Sequence, residues 1–215
     1  MKKKSFAVLG LGKFGSGVAE SLTKAGAEVL AVDNDEEIVN SIASSVTHAV
    51  RADICDVEVL RSLGVGNMDG VVIAITGSLD ASVMATITAK ELGVPYILAK
   101  ANDALHKKIL EKVGADRVII PEKESGNRMA YQLLAKNFLD IIDLSDKVSM
   151  VELAVKAEWV GKSLRSLDLR KKAGANVVAI KHGQEVVVTM DPDTPLTEEM
   201  VLWVTAEKKN IEKLM

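Results

Sequence analysis

Between Ser5 and Pro121 the chain repeats one unit: a short apolar run, a longer stretch with apolar residues at helical spacing, and a stop. The apolar runs, at residues 6–9, 29–32, 49–50, 71–75, 96–99 and 118–120, have the length and side chains of buried strands. The stops are Ala25-Gly26, Leu63-Gly64, Leu92-Gly93 and Val113-Gly114. A glycine just past a helix end takes the left-handed conformation without steric cost. Strand–helix–strand units of this kind close as a parallel sheet with right-handed crossovers. The spacing therefore predicts a doubly wound α/β domain over residues 1–121. The helical stretch 36–45 lacks the glycine stop.

The pattern then changes. Met129, Leu133, Leu134, Phe138, Ile141 and Ile142 recur at helical spacing with no strand behind them, which predicts one long crossover helix within residues 122–145. Residues 150–155, 176–180, 185–188 and 201–205 read as antiparallel strands, with His182-Gly183 at a hairpin turn and a closing helix over 206–214. Residues 146–215 are thus expected to form a small α+β domain, with the boundary at Ser145-Asp146.

A chain of 215 residues suits one large domain or two modest ones, and 48% hydrophobic with 27% charged residues excludes disorder, collagen and coiled coil. The longest uncharged stretch, 38–50, falls far short of the roughly 20 apolar residues of a membrane-spanning helix. Lys2-Lys3-Lys4 resembles the start of a signal peptide, but Lys13 and Glu20 interrupt the apolar stretch after it and no cleavage site is visible. A cytosolic chain is expected. The single cysteine, Cys55, can form no internal disulfide, in keeping with a reducing compartment. With 27 basic and 30 acidic side chains and a net charge of −3, the chain has no basic surface for counterion release, so no nucleic-acid partner is expected.

Gly10-Leu11-Gly12-Lys13-Phe14-Gly15 is a G-x-G-x-x-G motif directly after the first strand and opening the first helix. Gly10 permits the tight turn, Gly12 lets the backbone approach a pyrophosphate, and Gly15 allows close packing of helix on strand. The helix N-terminus offers amide groups and a positive dipole end to phosphates. Asp33 ends the second strand, about 20 residues on, where a carboxylate accepts hydrogen bonds from both ribose hydroxyls and repels a 2′-phosphate. This Rossmann-like arrangement disfavours NADP but does not choose among NAD, ATP, ADP and AMP, which share the free diol. Lys13 is either a point charge beside a polyphosphate or a solvated surface lysine. Asp53, after the third strand, either faces the adenine edge or caps the helix beginning near Asp56, a role that suits Asp56 better.

Catalysis has little to work with. His48 opens a strand, His182 sits at a turn, and Cys55 has only Arg51 as a basic neighbour. His106, beside Lys107 and Lys108 on the helix 103–113, reads as part of a solvated face. No H-x-x-H, C-x-x-C or G-x-S-x-G pattern is present. Binding without turnover is the simpler reading; an NAD-dependent oxidoreductase on the same glycine loop is the alternative.

The glycine loop taken with Val32-Asp33, Ala99-Lys100-Ala101, Leu110-Glu111-Lys112-Val113-Gly114-Ala115-Asp116-Arg117, Pro121-Glu122, Ile142-Asp143-Leu144-Ser145, Leu169-Arg170 and Val178-Ala179-Ile180-Lys181 closely resembles the RCK-domain cytosolic subunits of Ktr/Trk potassium-uptake systems. The resemblance runs in order through essentially the whole chain. It implies an RCK-N domain over 1–121, a crossover helix region over 122–145 exchanged between protomers, and an RCK-C domain over 146–215. It also implies ATP or ADP, in some members NAD(H), held by Gly10, Gly12, Lys13, Phe14, Gly15, Asp33, Asp53 and Lys100. Lys13 matches a basic position that contacts phosphates and is often arginine in other members, so a bidentate contact would be lost here. Glu122 matches an acidic position near a dimer interface, associated with a divalent cation. Arg170, Asn176 and Ile180 lie in the segment that binds cyclic di-AMP in several relatives. The implied assembly is a homodimer building an octameric ring beneath a membrane potassium transporter, on the inner face of the cell membrane.

Overall fold

The six apolar runs of the first 121 residues pair only in parallel, because a helix returns the chain between each strand and the next. In the computed structural model, which describes residues 3–214, these strands are β1 (Ser5–Leu9), β2 (Glu28–Asp33), β3 (His48–Arg51), β4 (Gly70–Ile73), β5 (Ile97–Lys100) and β6 (Arg117–Ile119). Lys2, the first lysine of the basic run, lies outside the described residues. The helices between them are α1 (Lys13–Lys24), α2 (Glu36–Ile42), α3 (Val57–Ser62), α4 (Leu79–Glu91) and α5 (Ala104–Val113). The sheet order is β3-β2-β1-β4-β5-β6, all parallel.

Both sheet faces are buried. Ala7 and Leu9 of β1 pack with Leu60, Ala85, Ala89 and Leu110 from α3, α4 and α5, whereas Val8 packs with Ala19, Val39 and Ile42 from α1 and α2. Each fully buried leucine here contributes about 1.5–3 kcal/mol relative to exposure. The expected helix-stop glycines do turn left-handed: Gly26, Gly64, Gly93 and Gly114 have φ of 89°, 74°, 79° and 116°.

The chain divides into two compact units after Pro121. The second holds α6 (Pro121–Leu134), β7 (Phe138–Asp143), β8 (Val148–Ala154), α7 (Leu164–Leu167), α8 (Leu169–Ala173), β9 (Ala175–His182), β10 (Glu185–Val187) and β11 (Met200–Glu207). Its sheet is antiparallel with order β10-β9-β11-β8-β7. Strict alternation in β8 and β11 puts Val151, Leu153, Leu202, Val204 and Ala206 into one core, with Trp159, Leu196 and Ile211 covering it.

Two expectations are corrected here. The crossover helix does not run through 122–145: it ends at Leu134, and Phe138–Asp143 becomes strand β7, hydrogen-bonded to β8 within the second unit. Phe138 is buried there opposite Leu153 and stacks at 5.2 Å on Tyr131 of α6, a burial that a continued helix would forfeit. The boundary at Ser145-Asp146 therefore does not separate a free helix from the C-terminal domain. Likewise the expected closing helix starts late: β11 keeps Ala206 in register with Ser149 and Ala175, and only 208–214 coil as 3-10 turns.

Candidate nucleotide site

The parallel sheet reverses its strand order between β1 and β4. At such a point neighbouring chains leave on opposite faces and open a crevice beyond the carboxyl ends of the strands. The glycine loop sits there, and its three glycines differ in what surrounds them. Gly10 has φ 92°, and a Cβ on it would stand 3.1 Å from the Ala74 carbonyl carbon after β4. A Cβ on Gly15 would overlap the Gly10 carbonyl oxygen. A Cβ on Gly12 would meet nothing within 4 Å among the described residues, so that side of the backbone faces open space.

Further hydrogen bonds set the loop's shape. Gly10 N–H donates to Val32 O at 2.9 Å, and Ser16 Oγ donates to Leu11 O at 2.7 Å. The Asp33 carboxylate accepts from the Leu11 amide at 2.6 Å and from the Asp35 amide at 3.0 Å. Asp33 thus holds the loop to the end of β2. Arg51 steadies the segment after β2 through Asn34 O at 3.2 Å and Glu36 at 3.0 Å.

The helix ends differ in a way that matters for anions. Asp35, Asp56, Ser78 and Asp103 cap α2, α3, α4 and α5 with their side chains, whereas α1 carries no side-chain cap. Its first amides and positive dipole end point to the open space beside Gly12. These features leave an uncapped helix end able to receive an anion, with a carboxylate at the end of β2.

Lys13 stands exposed at the first turn of α1. Phe14 is half-buried, and the buried Lys100 at the end of β5 holds its Nζ 5.7 Å from that ring, a cation–π contact joining β5 to α1. An open groove of about 510 Å³ follows α1 from Lys13 and Phe14 to Ser21 and Leu22. Asp53 is exposed and closes a turn on the Cys55 amide at 2.9 Å, while Asp56 is the α3 cap. Partial burial, with Asp53 nearby, pushes the Cys55 thiol up from its ordinary range.

His106 is not on a solvated face. It is 4% exposed and hydrogen-bonded to Ser82 and Asn102, because α5 turns this position against α4. Sequence reasoning missed the group Thr76, Ser82, Asn102 and His106, although the polar residues shortly after β4 and β5, Thr76 and Asn102, were a signal for it. Leu110, one turn beyond His106 on the same helix face and itself buried, was another.

In the second unit, Glu122 is exposed in the first turn of α6. Among the described residues no group of three or more His, Cys, Asp or Glu side chains could hold a metal. One carboxylate does not fit the six or more oxygens a divalent cation prefers. Arg170 is exposed on α8 and Asn176 is exposed on β9 opposite Thr205. Ile180 pairs with Leu202 and packs on the core, since a register shift at Trp203/Val204 switches β9 between faces. Asn176 and Ile180 therefore do not share a surface. No described helix is long and apolar enough to cross a membrane.

The TrkA-N domain family matches residues 6–121 and the TrkA-C domain family residues 148–215. The chain is 42% identical over 213 residues to the Ktr system potassium uptake protein A of Bacillus subtilis (strain 168), covering 99% of this chain and 96% of that protein. It is 40% identical over 211 residues to Ktr system potassium uptake protein C of the same organism, covering 98% and 96%. The solved GsuK channel shares the fold with a TM-score of 0.68 at 18% identity, across 99% of this chain and 39% of the channel chain. Two successive family matches and relatives aligned nearly end to end place the chain in the RCK-domain family of Ktr- and Trk-type potassium-uptake proteins.

Proposed function

We propose that this chain is the nucleotide-sensing, non-catalytic regulatory subunit of a potassium-uptake system, binding ATP or ADP in the N-terminal unit and gating a membrane transporter through a ring of copies. The observation that carries the reading is the Asp33 carboxylate, fixed on the glycine-loop amide beside an uncapped helix end and open space at Gly12. Lys13, exposed at the first turn of α1, would supply a positive charge to the phosphates nearest the helix. The relatives' potassium-uptake names support the transport half of the reading. Both nitrogens of His106 are engaged internally, which argues against a hydride-transfer enzyme using it as proton donor.

The subunit would work on the cytoplasmic side, as dimers assembled into an octameric ring, with Glu122 near a dimer interface where other subunits complete any cation site. A ligand shifts such an assembly only by its differential affinity for the two states. Coupling of about 1–3 kcal/mol would give about 5- to 150-fold between ATP and ADP. NAD(H) presents the same diol and remains a competing ligand for the site.

Native mass spectrometry of the purified chain tests this, with ring-sized assemblies retaining an adenylate as the expected result. A monomer indifferent to ATP, ADP and NAD(H) would overturn it. For cyclic di-AMP, Arg170 and Asn176 are the proposed contacts. Equilibrium dialysis of the full chain should show saturable uptake that Arg170→Ala removes, and absence of uptake ends that assignment.

A further inference from the structure

The buried imidazole of His106 is held in one tautomer. The Asn102 amide donates to its Nδ1 at 3.3 Å, so Nδ1 carries no proton. Its Nε2 stands 2.8 Å from Ser82 Oγ, whose single proton is already directed to Leu79 O at 2.8 Å. Nε2 is therefore the donor. Ser82 is itself fully buried, and Thr86 Oγ1 donates to the Ser82 carbonyl at 2.7 Å.

The bonds form a continuous path. From Ser82 on α4 it passes through His106 on α5 to Asn102 after β5, and the Asn102 side chain then donates to Thr76 O after β4 at 2.8 Å. The Asn102 side chain thus ties the two loops at the carboxyl edge of the sheet, and the His106 ring anchors Asn102 to α4. Were a ribose at Asp33 beyond β2 and the first phosphates at α1, a longer tail would run across β1 toward β4 and β5, the next strands in the sheet.

We propose that His106 is a positioning residue for the distal phosphates: its Nε2–H tautomer sets the loops after β4 and β5 as the wall on which the tail of ADP or ATP ends. This rests on the nucleotide reading and adds to it the element that senses tail length. AMP, whose tail stops at α1, does not reach that wall.

The test measures ADP, ATP and AMP binding calorimetrically to the full-length wild type and to His106→Leu, His106→Gln and Ser82→Ala. Amide exchange at Asn102 and residues 76–78 is followed in each apoprotein. An unpaired buried donor or acceptor shifts equilibria by about tenfold. His106→Leu should thus weaken ADP and ATP about tenfold, leave AMP unchanged, and speed exchange in both loops while the glycine loop stays protected. Gln, which can accept and donate through one amide, should restore most of the loss, and Ser82→Ala gives the same pattern if His106→Leu does not fold. A wild type that binds no adenylate overturns the nucleotide reading itself. A wild type that binds, with His106→Leu unaltered or weakened equally for all three ligands, overturns only the positioning role.

Discussion

The carboxylate of Asp33 accepts the Leu11 amide at 2.6 Å, so the residue at the end of β2 also fixes the curvature of the loop after β1. Hydrogen bonds to a charged group contribute about 1.5–3 kcal/mol. Asp33→Ala should reduce ADP affinity by about tenfold or more and speed amide exchange at Leu11, with the sheet intact. Unchanged calorimetric affinity would place the ribose elsewhere.

Gly12 and Gly15 should separate binding from folding. A methyl on Gly12 meets nothing within 4 Å, and φ is −61°, so Gly12→Ala should fold normally and lose affinity by obstructing the phosphate approach. A methyl on Gly15 collides with the Gly10 carbonyl, so Gly15→Ala should lower the melting temperature markedly. Thermal unfolding and ADP titration of both variants check the pair.

Acid sensitivity is expected at the start of the C-terminal sheet. Partial burial raises the Asp143 pKa, but Lys208 at 2.7 Å and the buried Ser149 hydroxyl at 2.6 Å outweigh it, holding the carboxyl below its ordinary value. A depressed folded pKa gives stability that is present above the unfolded value of about 3.9 and lost as pH falls through the folded one. The pair is largely exposed, so its worth is at most about 1 kcal/mol. Urea midpoints of wild type and Asp143→Asn should differ at pH 7 and converge toward pH 3.

Trp203 carries a cost that a smaller ring would avoid. Its indole Nε1 is buried with no hydrogen-bond partner among the described residues, and the side chain lines a cavity of about 60 Å³ together with Asp140, Met150 and Glu152. An unmet buried donor costs about 1–3 kcal/mol, so Trp203→Phe should be neutral or stabilising in denaturant titration. Trp203→Ala, which discards the ring's apolar burial, should lose about 2 kcal/mol.

The parallel sheet was legible because each of its signals is local: a buried strand, an amphipathic helix and a left-handed glycine within a few residues of one another. The glycine loop was legible for the same reason, its roles being set by φ, by a carbonyl and by open space. Phe138 shows where local reading fails. Spacing of Leu134, Phe138, Ile141 and Ile142 satisfies a helix, and only the availability of β8 as a partner makes Phe138 a strand residue. His106 fails in the opposite sense, since Lys107 and Lys108 advertise solvent while the ring packs against a helix far away in sequence. Ile180 depends on a bulge whose position is set by β11.

By itself the amino-acid order determined the doubly wound sheet, its left-handed helix stops and the shape of the glycine loop, because these are satisfied by neighbours along the chain. Only the tertiary structure decided that Asp33 braces that loop, that His106 anchors Asn102 to α4, and that residues after Leu134 join a sheet. Those outcomes depend on which distant donor, acceptor or apolar face is nearest once the chain has packed, and that distance is not written in any local spacing.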